Sequence, residues 1–187
     1  MTSDFQTVSK IEAADRQLRS VVHFFFQRAD AVAVHTLAAA VYQILVDLCE
    51  HRGIERELED SAILSHLGVK KDVLDAVRRP QNFFKHADRD PEGFLRFNPM
   101  LTACLILYGI HYLHCLTGTK SPEGQVFCLW FYLRFPDRAP AELRASFAQL
   151  PPEVGPDDYP VFLELITLQC QRANCGVQTD GPQAARS

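Results

Sequence analysis

From Ile11 onward the chain sets apolar residues at three- and four-residue steps: Ile11, Ala14, Leu18, Val21, Val22, Phe25 and Ala29. Lys10, Arg16, Arg19 and Gln27 fall on the other side. A repeat near the helical period predicts an amphipathic helix with one face in a core. Ser9 followed three residues later by Glu12 is a capping-box pattern that would start it.

Asp30 offers the next N-cap, and a second helix is expected to run to about His51, where Gly53 stops it. Its stripe is Val34, Leu37, Val41, Ile44 and Leu48, flanked by Ala38, Leu45 and Cys49. Ala38, Ala39 and Ala40 are small enough for a neighbouring backbone to come close. Glu57 to Leu67 reads as a short helix ended by Gly68, and Lys71 to Arg79 as another through Val73, Leu74 and Val77. Pro80 removes a backbone donor and crowds the preceding turn, so a kink or a fresh helix start is expected there.

Asp88 to Gly93 has the composition of a turn. Asn98-Pro99 and Ser121-Pro122 are both cap–proline signals. The first opens the most apolar helix, ending at Gly118; the second opens a helix closed by Pro136. The short connection from Thr117 to Ser121 predicts an antiparallel hairpin. A shorter helix is expected from Pro140 to Leu150, then a linker to Pro156 and a last helix from Asp158 to about Arg172. No stretch alternates with the period of a strand. The expected fold is all-α, a helical bundle of four main helices with additional short helices. Residues 1–175 are expected to form a single α-helical domain, with 176–187 a disordered tail.

Composition alters this picture little. A chain of 187 residues can bury a core without disulfides or metals. A net charge of −4 argues against a broadly basic nucleic-acid surface, though not against a local patch. Cys49, Cys104, Cys115 and Cys128 sit inside apolar runs and no C-x-x-C pair occurs, so they read as reduced, buried thiols; Cys170 and Cys175 are left open. The first residues lack the pattern of a signal peptide. Met100 to Leu116 approaches the length of a membrane span, but it carries His111 and His114 and is read as a buried central helix. These features together predict a soluble, cytoplasmic protein without membrane association.

Chemically capable residues crowd between Arg78 and Pro91, in the order R-R-P-Q-N-F-F-K-H-A-D-R-D-P. Arg79 and His86 are seven residues apart, two helical turns, with Asn82 between them; all three then point to nearly one face. Phe83 and Phe84 can anchor the segment to a core. The P-loop, G-x-G-x-x-G, H-E-x-x-H and G-x-S-x-G motifs are missing, as is the paired E-x-x-H of di-iron bundles. An arginine and a histidine on one face can handle a phosphodiester without a metal. The guanidinium holds phosphate oxygens and offsets transition-state charge, while the imidazole moves a proton. Asn82 would orient the histidine or contact the phosphate. His35, at the entrance to the alanine-rich patch, is either a partly buried histidine bonded to backbone or a second wall of the pocket holding His86.

Arg79, six intervening residues and His86, with the N-F-F-K-H cluster, in an all-α chain, resembles the HEPN superfamily. The resemblance implies an α-helical, often dimeric protein and a metal-independent endoribonuclease of the kind found in toxin and phage-defence systems. It implies Arg79 and His86 as catalytic residues, RNA as partner, and a homodimer that brings two copies of the motif together, with no cofactor. Pro80 departs from the family pattern, which carries a small polar residue after the arginine.

Three other readings stand beside it. In a structural one, Asn82, Lys85 and His86 cap and tie down a bent helix, with Asp88 or Asp90 pairing Arg89 or Lys85. In a second, His86, Asp88 and Asp90, with His35, hold zinc, manganese or iron; His111 and His114 share one side of their helix and read as a core pair partnered by Tyr108 and Tyr112. The third is a non-catalytic module binding a protein or a small ligand in an apolar groove lined by Trp130, Phe131 and Tyr132.

Overall fold

The computed structural model describes residues 5–54, 73–140, 144, 147 and 154–176. Among these residues the structure is all-α, with six α-helices of thirteen residues or more: α1 Lys10–Phe26, α2 Ala31–His51, α3 Val73–Lys85, α4 Met100–Thr117, α5 Pro122–Arg134 and α6 Tyr159–Gly176. The expected count of four main helices is thereby corrected to six substantial ones. The segment around Pro80 forms one continuous thirteen-residue helix rather than two short pieces. The expected helix at Glu57 to Leu67 and the tail beyond Gly176 lie outside the described residues. Of Pro140 to Leu150, Arg144 and Phe147 are helical. The chain divides into two compact units, Met1–Lys120 and Ser121–Ser187.

In the first unit, α1 begins with both halves of the capping box. Ser9 Oγ accepts from Glu12 N–H at 3.2 Å, and Glu12 Oε2 accepts from Ser9 N–H at 2.8 Å. The Ser9 backbone donor, and then its hydroxyl, hold the Glu12 carboxyl below the usual range. The helix stops before Ala29, because Arg28 adopts a left-handed φ of 53°. Arg28 N–H then bonds Phe25 O and Ala29 N–H bonds Phe24 O, which closes the helix in the manner of a Schellman motif. Phe26 is buried and Ala29 exposed.

Asp30 Oδ1 caps α2 by accepting from Val32 and Ala33 N–H, both at 3.0 Å. The buried face of α2 is centred on Ala38, Val41, Tyr42, Leu45 and Cys49, while Leu37, Ile44 and Leu48 are half-buried. The apolar stripe is therefore rotated toward the residues expected to flank it. Gly53, at φ 66°, ends the helix.

Asn98 Oδ1 accepts from Met100 N–H at 3.0 Å and opens α4; Gly118, at φ 74°, ends it. Every residue from Leu101 to Ile110 is buried. A Cβ at Gly109 would lie 3.3 Å from Leu18 Cδ1 and 3.8 Å from Leu45 Cδ1, so this glycine is where α1 and α2 close upon α4. Near its start α2 meets the start of α4 through His35 and Thr102, and past its end Arg52 Nη1 donates to Leu116 O at 3.2 Å. α2 and α4 accordingly run parallel, with α1 packed against both and α3 against α2. By length and hydropathy alone α2 and α4 could each cross a membrane, and α4 is the more fully buried of the two.

In the second unit, Ser121 Oγ accepts from Gly124 N–H at 3.1 Å and Pro122 occupies the first turn of α5. α5 packs on α6, and Phe127, Trp130, Phe131, Phe162 and Ile166 are buried. Trp130 Nε1 donates to Pro156 O at 2.7 Å. Trp130 and Phe131 are thus core residues and do not line an open apolar groove; Tyr132 is half-buried. A 3₁₀ turn at Pro136–Arg138 follows α5.

Candidate functional site

The last turns of α3 carry the site. Although the helix proper ends at Lys85, His86 N–H still donates to Asn82 O at 3.1 Å, so helical spacing extends to His86. Arg79, Asn82, Phe83 and His86 consequently share a face and line one wall of a cavity of about 690 Å³. The loop after the helix completes it with Arg89, Asp90, Phe94 and Leu95.

Pro80 does not break α3. A proline inside a helix forfeits one backbone hydrogen bond and costs about 3 kcal/mol. Its ring, however, lies on the face away from the cavity and is buried. One turn on, Phe84 points the same way, its centroid 5.4 Å from that of Phe97 and 6.1 Å from that of His35. Apolar burial on this inner face offsets the lost bond. The outer face is then free to present polar groups.

In the loop, Gly93 N–H bonds Asp90 O at 2.8 Å and forms the expected turn. A Cβ at Gly93 would come within 2.8 Å of Asp90 Oδ2 and 3.0 Å of Asp90 O, so glycine is what allows the Asp90 carboxylate to fold over the turn. Arg79 and Asn82 are exposed, and the His86 side chain is 50% exposed. Two arginines and Asp90 line the cavity, in a chain of net charge −4. His86 Nδ1 stands 3.9 Å from Asp88 Oδ1, too far for a hydrogen bond that would select a tautomer.

His35 is not part of the cavity wall. It is fully buried, with Nδ1 3.0 Å from Thr102 Oγ1 and its ring centroid 4.8 Å from that of Phe97. The partner seen for Nδ1 is a side-chain hydroxyl. With His35 in the core and His86, Asp88 and Asp90 at the surface, the expected metal set is not assembled. Among the described residues no three His, Cys, Asp or Glu side chains gather to hold a metal. His111 Nε2 lies 3.3 Å from Cys115 Sγ, and its ring meets the edge of Tyr112 at 5.9 Å. Cys49 and Cys104 are buried as expected, whereas Cys115 is exposed and Cys128 half-buried. Burial pushes the Cys104 thiol up to about 12.

Phe83, expected to anchor the segment to a core, lines the cavity, and sequence reasoning missed Arg89 and Phe94 as members of the site. Their signal was weak: an arginine between two aspartates, and one aromatic after a turn glycine with no helical partner. Compared with protein-family models, curated proteins and solved structures, the chain shows no match to any. What stands is a multi-helix, all-α protein in which an arginine and a histidine from one helical face open into a common cavity.

Proposed function

We propose that this cavity binds the phosphodiester backbone of RNA and that Arg79 and His86 cleave it without a metal, as the HEPN resemblance implies. The observation that carries this reading is the placement of Arg79, Asn82, His86 and Arg89 around one open cavity. Neutral His86 removes the proton of a ribose 2′-hydroxyl as that oxygen attacks phosphorus. Arg79 holds the non-bridging oxygens and takes up the charge that builds on them. Asn82 donates to a phosphate oxygen, and Arg89 holds the neighbouring phosphate. The 5′-oxygen leaves, giving a 2′,3′-cyclic phosphate and a 5′-hydroxyl end. In a homodimer, His86 of a second copy would protonate that leaving oxygen. Reduced thiols favour a cytoplasmic setting for this chemistry.

The test is RNA cleavage by the purified protein in EDTA, beside a His86→Ala variant. Cyclic-phosphate ends from the parent, lost in the folded variant, are expected. Cleavage that survives the substitution would reject the mechanism. The loose approach of Asp88 to His86 favours one second reading, in which the same cavity binds its ligand without turnover. RNA binding by both proteins with no cleavage by either would select it.

A further inference from the structure

Phe94 is fully exposed, the most exposed large apolar side chain among the described residues. A ring left wholly in water forfeits the stabilisation that burial gives an aromatic, so its position needs a reason. That position is specific. The Asp90–Gly93 turn delivers Phe94 to the rim of the cavity that Arg79 and Arg89 also line, and Phe83 forms part of its helical wall. Aromatic faces beside guanidinium groups are the combination that binds an unpaired nucleotide, stacking its base while the cations hold its phosphate.

We propose that Phe94 is the stacking platform for one unpaired base of the bound strand, which makes the substrate single-stranded. The inference rests on the phosphodiester reading of the same cavity and adds its substrate class. In a duplex both faces of each base are covered by neighbours, so Phe94 would gain nothing from it. Duplex binding also draws on a broad basic surface, which a chain of net charge −4 does not offer. A protein partner is a poorer fit, since an apolar contact at Phe94 would bury the arginines, Asn82 and Asp90 around it.

Fluorescence anisotropy with labelled 2′-O-methyl RNA, a single strand of about ten nucleotides and a blunt duplex of the same length, tests this. The proteins are the parent, Phe94→Ala, Phe94→Trp and Arg79→Ala, each checked for helicity by circular dichroism. Phe94→Ala should weaken single-strand binding roughly 5- to 150-fold, the range of one base stack. Phe94→Trp should retain it, and the parent should prefer the single strand. Should Phe94→Ala bind like the parent while Arg79→Ala binds weakly, the stacking role is wrong and the phosphodiester reading stands. A parent that binds neither RNA overturns both. A changed sedimentation mass in Phe94→Ala with unchanged RNA binding would make Phe94 a protein contact and overturn the platform.

Discussion

His35 Nδ1 and Thr102 Oγ1 meet at 3.0 Å in the core, joining the opening turns of α2 and α4 beneath Phe84 of the site helix. Both residues are buried, so neither polar group can fall back on bulk water. Thr102→Val keeps the shape and removes the hydroxyl, which should cost about 1–3 kcal/mol in urea denaturation. Thr102→Ser should cost less. Equal stability for Thr102→Val and the parent would mean the contact adds nothing net.

Gly109 and Leu18 supply a second test of packing. Alanine at 109 gains about 1 kcal/mol of helix propensity, but its Cβ would press on Leu18 Cδ1 at 3.3 Å. Overpacking of a buried contact costs about 1–3 kcal/mol, so Gly109→Ala alone should destabilise. In a Leu18→Ala background the same change should stabilise, because the methyl enters vacated space. A double-mutant cycle in urea with coupling below about 0.5 kcal/mol would show the two sites to be independent.

Cys104 makes the native state sensitive to alkali. Its thiol is shifted from an ordinary value of 9.0 to about 12 by burial. Above pH 9 the unfolded chain sheds this proton while the native chain keeps it, so native stability should fall as pH rises from about 9 toward 12. Cys104→Ala should show a shallower fall across that window than the parent. At about pH 8, an aromatic disulfide reagent should label exposed Cys115 quickly and Cys104 only after urea is added. Equal labelling rates in the native protein would contradict the burial.

Arg79 and Arg89 should each register in the salt dependence of RNA binding. One phosphate contact on a single strand contributes about 0.7 to the slope of log affinity against log salt. Arg79→Ala and Arg89→Ala should each weaken binding and flatten that slope by about this amount. A variant that weakens binding at an unchanged slope would not have lost a phosphate contact.

Local signals were read well where one residue's chemistry decides a backbone event. The caps at Ser9, Asp30 and Ser121 and the stops at Gly53 and Gly118 all appear, because each rests on one side-chain oxygen or one left-handed glycine; at α4 the cap falls on Pro99, with Asn98 just before it bonding Met100 N–H. The end of α1 escaped, since Arg28 occupies the left-handed position that glycine ordinarily marks. The common face of Arg79, Asn82 and His86 was also legible, as helical spacing alone places them together.

What the sequence by itself determined is thus the all-α character, the helix boundaries set by caps, and the polar face of α3. Tertiary structure decided the rest. Whether Pro80 ends a helix depends on what its ring packs against, and a buried inner face shared with Phe84 keeps α3 whole. Whether His35 joins the site depends on residues 67 positions away, where Thr102 draws it into the core. Phe94 enters the site because a turn carries it to the rim, and Trp130 leaves the surface because its indole finds Pro156. Local periodicity reports what a residue prefers; long-range packing determines what surrounds it, and surroundings make a site.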